Sequence, residues 1–233
     1  FDALREQDDW QLERGGKYFV TRNDSSIIAW VQGADLLAET GINILGAHTD
    51  SPCLKVKPRP DVYASGLWQL AVEVYGGALL NPWFDRDLSL AGRVHYTAGD
   101  SVSSTLVDFE KAIAVIPNLA IHLDREANKN RTVNPQLHLP VLLAHASEES
   151  DTRPNLDKLL LDLLLQSDTR ASEILDYELF FYDTQRSALI GANQEFISAA
   201  RLDNLLSCFI DAKALITAAE ASQWSMLICS DHE

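Results

Sequence analysis

The 233 residues carry 34 acidic against 19 basic side chains, a formal charge of −15, with 46% apolar and 23% charged residues. These are globular proportions, with chain enough for one large domain or two modest ones, and the negative balance excludes binding to nucleic acid or an anionic membrane through a bulk positive field. Three cysteines (Cys53, Cys208 and Cys229) are too few for a disulfide framework or a thiolate zinc cluster, and they fit a reducing, cytoplasmic setting. No stretch reaches the apolar length of a membrane span, and Phe1-Asp-Ala-Leu-Arg-Glu-Gln7 lacks signal-peptide design. The chain opens mid-pattern without Met and closes on Ser230-Asp-His-Glu233 directly after an apolar run, as a piece cut from a longer polypeptide would.

In chain order, Lys17–Arg22 and Ser26–Val31 are β-branched and aromatic and flank Asn23-Asp24-Ser25, which predicts a hairpin. Asn43-Ile-Leu-Gly-Ala47 is a short apolar run bounded by turn residues, expected as a buried strand, with Pro52 stopping any regular continuation. His48 and Asp50 then lie at its carboxyl end, where open α/β sheets gather ligands and catalytic groups. Past Pro58 and Pro60 the texture changes. Leu67–Tyr75 alternates with period two, as a half-exposed antiparallel strand does. Strand-like runs follow at 90–97, 104–109 and 113–123, the last broken by Pro117. Leu156–Leu165 has the apolar density of a core helix, and 174–183 returns to strand texture. A loop from Ala192 leads to a long helix over Arg201–Ala221, with Asp203 or Asn204 able to cap it. Ser225-Met-Leu-Ile-Cys-Ser230 follows as a buried strand. A helix feeding such a strand is half of a β-α-β unit, and its natural partner is the strand ending at His48.

Three groups thus fall at comparable structural places: His48 past one strand, Asp203 at a helix start and Glu233 past the last strand. Imidazole and carboxylates in this combination suit Zn²⁺ or a pair of divalent ions. A carboxylate near but off the metals would serve as base. Three residues do not complete two metal shells, so further ligands are expected from sequence beyond Glu233.

Several blocks carry a resemblance to a known family. Gly46-Ala-His-Thr-Asp-Ser-Pro-Cys-Leu-Lys-Val-Lys57, Glu73-Val-Tyr-Gly-Gly77, Trp83-Phe-Asp-Arg-Asp-Leu-Ser-Leu-Ala-Gly-Arg93, Arg201-Leu-Asp-Asn204 and Ser230-Asp-His-Glu233, in that order, resemble the aspartyl aminopeptidase family, peptidase family M18, in a bacterial form. The resemblance implies an α/β fold, with a metallo-aminopeptidase-like catalytic domain (residues 1–58 and 184–233) interrupted by a mostly β dimerisation domain over 59–183. It implies two Zn²⁺ per site, with His48 a ligand of one metal, Asp203 bridging both and Asp50 orienting His48. Glu233 matches the first Glu of the family's Glu-Glu pair, the general base. The second Glu, a later Asp and a later His complete the metals in the family and lie past the end of this chain. His122, in Ala120-Ile-His-Leu123, matches a residue that reaches into a neighbouring subunit's site.

The implied activity is release of N-terminal Asp or Glu from peptide substrates by a zinc-activated water. The implied assembly is self-association of dimers into a dodecamer, with no nucleic-acid or membrane partner. A competing reading is a non-catalytic scaffold or oligomerisation module, and a weaker one is a metal-free hydrolase using Asp203 and Glu233. Taken without the resemblance, His48 reads as a satisfied structural histidine and Asp203 as a helix cap worth about 1 kcal/mol. Asp85, Arg86, Asp87 and Arg93 are expected to form an ion-paired turn, His95, His138 and His145 to be surface or loop residues, and His232 to face away from Glu233 by strand alternation. Cys53 reads as a small buried residue, and Lys55, Lys57 and Arg201 remain unassigned candidates for a pocket that takes an acidic side chain.

Overall fold

A computed structural model describes residues 1–146, 153–217 and 223–232. The fold is mixed α/β with several sheets. The chain separates into two compact units, Phe1–Ser51 with Ser187–Glu233, and Pro52–Arg186.

In the first unit, strands β1 (Asp2–Ala3), β2 (Lys17–Arg22) and β3 (Ser26–Val31) are followed by a single helical turn, α1 (Leu37–Thr40), and β4 (Ile42–His48). β2 and β3 form the expected antiparallel hairpin, with Asn23 and Asp24 both at positive φ in the turn, a conformation that Asn and Asp tolerate better than most residues.

The second unit begins with β5 (Cys53–Ala64) and β6 (Leu67–Tyr75), then a 3₁₀ turn at Asn81–Trp83, β7 (Leu88–Ala98) and β8 (Ser101–Asp108). α2 (Pro135–His138), β9 (Val141–His145), α3 (Leu156–Leu164) and β10 (Ala171–Asp183) complete it. These strands make one six-stranded sheet, ordered β8-β7-β10-β5-β6-β9. Every named pairing within it is antiparallel, which suits a sheet with one face on a core and one toward water. β6 buries Trp68, Leu70 and Val72 at alternate positions, matching the period-two pattern. Against the same core α3 presents Leu156, Leu160 and Leu164, all fully buried at spacings of four, while Asn155 caps the helix by accepting from the Lys158 amide.

β5 crosses Pro58 and Pro60 without ending, although the composition change there marks a boundary in the sequence pattern. Its pairing with β6 shifts register between Val56 and Asp61, so the two prolines sit in an irregularity where no ladder amide is needed. The compact units divide instead at Ser51/Pro52 and Arg186/Ser187.

Back in the first unit, β11 (Ala188–Ile190) pairs with β12 (Phe196–Ser198) in a small hairpin, whose second strand lies in the stretch from Ala192 expected as a loop. α4 (Leu202–Thr217) and β13 (Trp224–Ser230) follow. The five-stranded sheet is ordered β1-β2-β3-β13-β4, with β13 antiparallel to β3 and parallel to β4. On one face α4 packs Cys208, Ala212 and Leu215 against Ala29, Val31, Leu227 and Cys229. On the other, Tyr18, Val20 and Trp30 pack with Leu4, Trp224 and Met226.

Three expectations need correction. β4 is not a buried strand: among the described residues it pairs with β13 alone, at the edge of its sheet, and its Ile44 is 55% exposed. The apolar run 113–123 forms isolated bridges at Ala114, Val115 and Ile116 and then turns, since Pro117 and Asn118 end the extended backbone. Among the described residues the Asp85–Asp87 segment shows no ion pair that closes it on itself. Arg86 instead reaches Asp183 at 3.3 Å, and Asp85 accepts from the Asn118 backbone and side-chain amides at 2.8 and 2.7 Å. Arg131 lies over the Phe84 ring, 4.0 Å from its centre, and donates to Asn118 Oδ1, so these residues tie down the base of the segment carrying His122.

The Asn118 backbone amide, then its side chain, hold the Asp85 carboxyl below the usual carboxylate range, with Arg131 adding attraction. A depressed folded pKa contributes stability that is present above the unfolded value of about 3.9 and is lost as pH falls through the folded one. Hydrogen-exchange protection of residues 118–131 should therefore persist at pH 6 and fall below about pH 4, and Asp85→Ala should lower it already at pH 6.

Candidate metal centre

The parallel ladder of β4 and β13 sets His48 level with Ser230, so the carboxyl ends of two strands far apart in sequence lie side by side. Thr49 extends that pairing by one residue. Its amide donates to Ser230 O at 2.7 Å and its hydroxyl to Ser25 O at 2.8 Å. The chain therefore leaves β4 on a fixed path, which aims the next side chains.

His48 Nδ1 lies 3.0 Å from Asp50 O and 3.2 Å from Asp50 Oδ1. Both are acceptors, which assigns the proton to Nδ1 and leaves the lone pair on Nε2. Nε2 faces Asp203 Oδ1 at 3.6 Å, too long for a hydrogen bond. His48 and Asp50 are largely enclosed, with side chains 21% and 14% exposed, whereas Asp203 is 87% exposed. Asp203 and Asn204 keep non-helical backbone angles at the start of α4 and are joined by a cis peptide bond. Ser51 Oγ donates to Asp203 O at 3.0 Å, which ties that bend to the segment leaving β4.

From below, the Cys208 thiol of α4 donates to His48 O at 3.1 Å. Cys229, on β13, packs in the same cluster. Beside Asp203, Asn204 Oδ1 is buried without a hydrogen-bond partner among the described residues.

Two zinc ligands at bond lengths of about 2.0–2.2 Å in tetrahedral geometry stand roughly 3.4 Å apart. The His48–Asp203 separation of 3.6 Å is close to that, and one imidazole nitrogen with one carboxylate oxygen is a donor pair zinc accepts. The residues present therefore fit the metal as two of its donors. Among the described residues no three His, Cys, Asp or Glu side chains gather around one point.

The sequence pattern placed His48, Asp50 and Asp203 as site candidates, and the fold brings these three together. His122 lies in an exposed turn of the other unit. Glu233 lies outside the described residues. β13 ends at Ser230, so strand alternation does not govern His232, whose backbone has positive φ and whose Nε2 lies 3.4 Å from Asp231 Oδ2. Thr49, Ser51 and Cys208 escaped sequence reasoning. They contribute hydrogen bonds to backbone carbonyls distant in sequence, Thr49 to Ser230 O and Ser25 O, Ser51 to Asp203 O and Cys208 to His48 O, and no local spacing signals such bonds.

Residues 1–233 match the family model described as aminopeptidase I zinc metalloprotease (M18). The chain belongs to the M18 family. The probable M18 family aminopeptidase 2 of Pseudomonas syringae pv. tomato is 54% identical over 234 residues, covering all of this chain and 54% of that protein. The protein of that name from Stutzerimonas stutzeri is 55% identical over 235 residues, again 54% of its length. The chain thus spans about half the length of the curated relatives it matches. Among solved structures, Ape4 in complex with Nbr1 superposes with a TM-score of 0.87 at 37% identity, over 99% of this chain and 48% of that one. The S. cerevisiae mApe1 dodecamer superposes at 0.76 and 27% identity, over 100% and 54%.

Burial first, and then the neighbouring Cys208 thiol, push the Cys229 thiol up to about 12. This M18 chain should thus gain stability from a neutral Cys229 in full below the unfolded thiol value, about 8.5, and lose it progressively as pH rises toward 12. Iodoacetamide at pH 9 should alkylate Cys229 only after denaturation, as read by peptide mass spectrometry.

Proposed function

We propose that the chain is the part of a metalloaminopeptidase that contributes His48 and Asp203 to a two-zinc site, and that the whole enzyme releases acidic residues, Asp or Glu, from peptide N-termini. The observation that carries this is the Asp50–His48–Asp203 arrangement. The carboxylate and carbonyl of Asp50 fix the Nδ1 proton, and the lone pair of Nε2 meets an exposed carboxylate at the spacing of two ligands on one zinc. When bound, zinc supplies Lewis acidity toward the scissile carbonyl and lowers the pKa of water toward neutrality.

The chain's own residues take distinct roles in this reading. His48 donates Nε2, held in tautomer and orientation by Asp50. Asp203, whose side chain is 87% exposed, would hold both ions. Glu233 takes the proton of the attacking water, and His122 serves the site of a neighbouring subunit. The net charge of −15 repels an acidic substrate at long range, so recognition must be local and cationic. Lys55 pairs with Glu178 at 2.5 Å, and Lys57 lies 3.4 Å from Glu73 and donates to Gln136 at 2.9 Å, so neither is an uncommitted cation. The unit Pro52–Arg186 serves self-association, and a dodecamer, the assembly of the solved mApe1 relative, is the assembly we assign to the whole protein.

Equilibrium dialysis against buffered zinc tests the centre. His48→Ala should abolish the tightest binding, and Asp50→Ala should weaken it about 10–100-fold while leaving the fold intact by circular dichroism. Binding unchanged in both variants would overturn the assignment and leave the scaffold reading. Turnover tests specificity. With zinc bound, the whole enzyme should hydrolyse aspartyl- and glutamyl-p-nitroanilide faster than leucyl-p-nitroanilide, and the opposite order would remove the acidic preference without touching the metal.

A further inference from the structure

The strand β8 is an edge of the six-stranded sheet, paired only with β7 among the described residues. Edge strands of this length are normally guarded by Lys, Pro, a bulge or a covering loop, because their free amides and carbonyls template pairing with another chain. Among the described residues, β8 itself carries no Lys, no Pro and no bulge. Ser101-Val-Ser-Ser-Thr-Leu-Val-Asp108 contains no Lys or Pro, and its ladder with β7 runs through eight consecutive pairs without a register shift. On its outward face Val102 and Leu106 are 70% and 69% exposed, with Ser104 between them.

That face is self-complementary. If a second β8 lies antiparallel about a two-fold axis at Ser104, Val102 of each copy stands opposite Leu106 of the other, Ser104 opposite Ser104, and Ser103 opposite Thr105. Residues directly opposite in an antiparallel pair share a face, so both exposed apolar side chains of each copy gain an apolar partner. The unfavourable pair of Asp100 against Asp108 forms twice, once at each end, where salt screens it. Closed two-fold pairing also explains why the edge is tolerated, because a symmetric pair consumes both edges and leaves no open template.

We propose that β8 is the strand through which two copies of this chain join their six-stranded sheets, in the register centred on Ser104. This rests on the reading of the unit Pro52–Arg186 as a self-association domain, and it names the surface that reading leaves open.

The test is sedimentation velocity on the wild-type chain and on Val102→Lys/Leu106→Lys, with circular dichroism as the control for folding. Ser104→Cys and Ser103→Cys are compared with wild type by cross-linking under mild oxidation. Wild type should dimerise with concentration, more readily at higher ionic strength. The double variant should need at least tenfold more protein to do so, and Ser104→Cys should cross-link where Ser103→Cys and wild type do not. A double variant that dimerises like wild type, or a dimerising Ser104→Cys that fails to cross-link, overturns β8 as the surface while self-association stands. A wild-type chain that stays monomeric at every concentration overturns both. If the double variant does not fold, the cysteine arm alone decides.

Discussion

The parallel pairing of β4 with β13 is the constraint on which the site depends. Parallel strands point their carboxyl ends the same way, so the ladder from Ile42 with Trp224 to His48 with Ser230 delivers two chain segments, some 180 residues apart, to the same rim. The whole of the second unit is spliced between them, and its sheet shares no strand with theirs. α4 lies on the face of this pair, its Leu215, Ala212 and Cys208 in one apolar cluster with Leu227, Cys229 and Ala47. That packing positions the start of α4, and with it Asp203, beside His48. Loss of the ladder would separate His48 and Asp50 from Asp203, whatever the side chains themselves prefer.

At the rim the chemistry follows from a small number of directed bonds. Asp50 is two residues beyond His48, close enough for both its carbonyl and its carboxylate to accept from one ring nitrogen. The imidazole is thereby committed to one tautomer before any ligand arrives, which removes a reorganisation cost from metal binding. Asp203 is the opposite kind of residue, an exposed carboxylate on a bent backbone. A second backbone tie, Ser51 Oγ to Asp203 O, holds that bend. An enclosed, preset imidazole thus faces a carboxylate that stays open to solvent.

The second unit stands on different physics. Its antiparallel sheet buries one face under α3 and the turns after β8, through Leu54, Leu70, Leu90, Leu179 and Phe181, and leaves the other face to Lys55, Glu73, Glu178 and their neighbours. Paired charges on that face contribute little to stability individually. They do keep a chain of −15 charge from presenting uncompensated acid everywhere. On β8 that face carries the exposed Val102 and Leu106.

Much of this was legible in the amino-acid order. Period-two alternation at Leu67–Tyr75 and the Leu spacing of α3 report burial directly, because each face of a strand or helix meets one environment. The hairpin of β2 and β3 declared itself through its turn residues, and five blocks taken together, from Gly46 to Glu233, carried the resemblance to a family. Local pattern misjudged β4, since an apolar run does not say whether one side or both will be covered, and it missed β11 and β12, which are too short to show a period. It carried Asp85 toward its sequence neighbours, when the partner that satisfies it is Asn118. The sequence by itself thus offered residues whose donor types suit zinc, because donor type and strand-end placement are local properties. Only the tertiary structure decided that His48 and Asp203 stand 3.6 Å apart, since that distance is set by the parallel ladder and the packing of α4, which join segments no local rule connects.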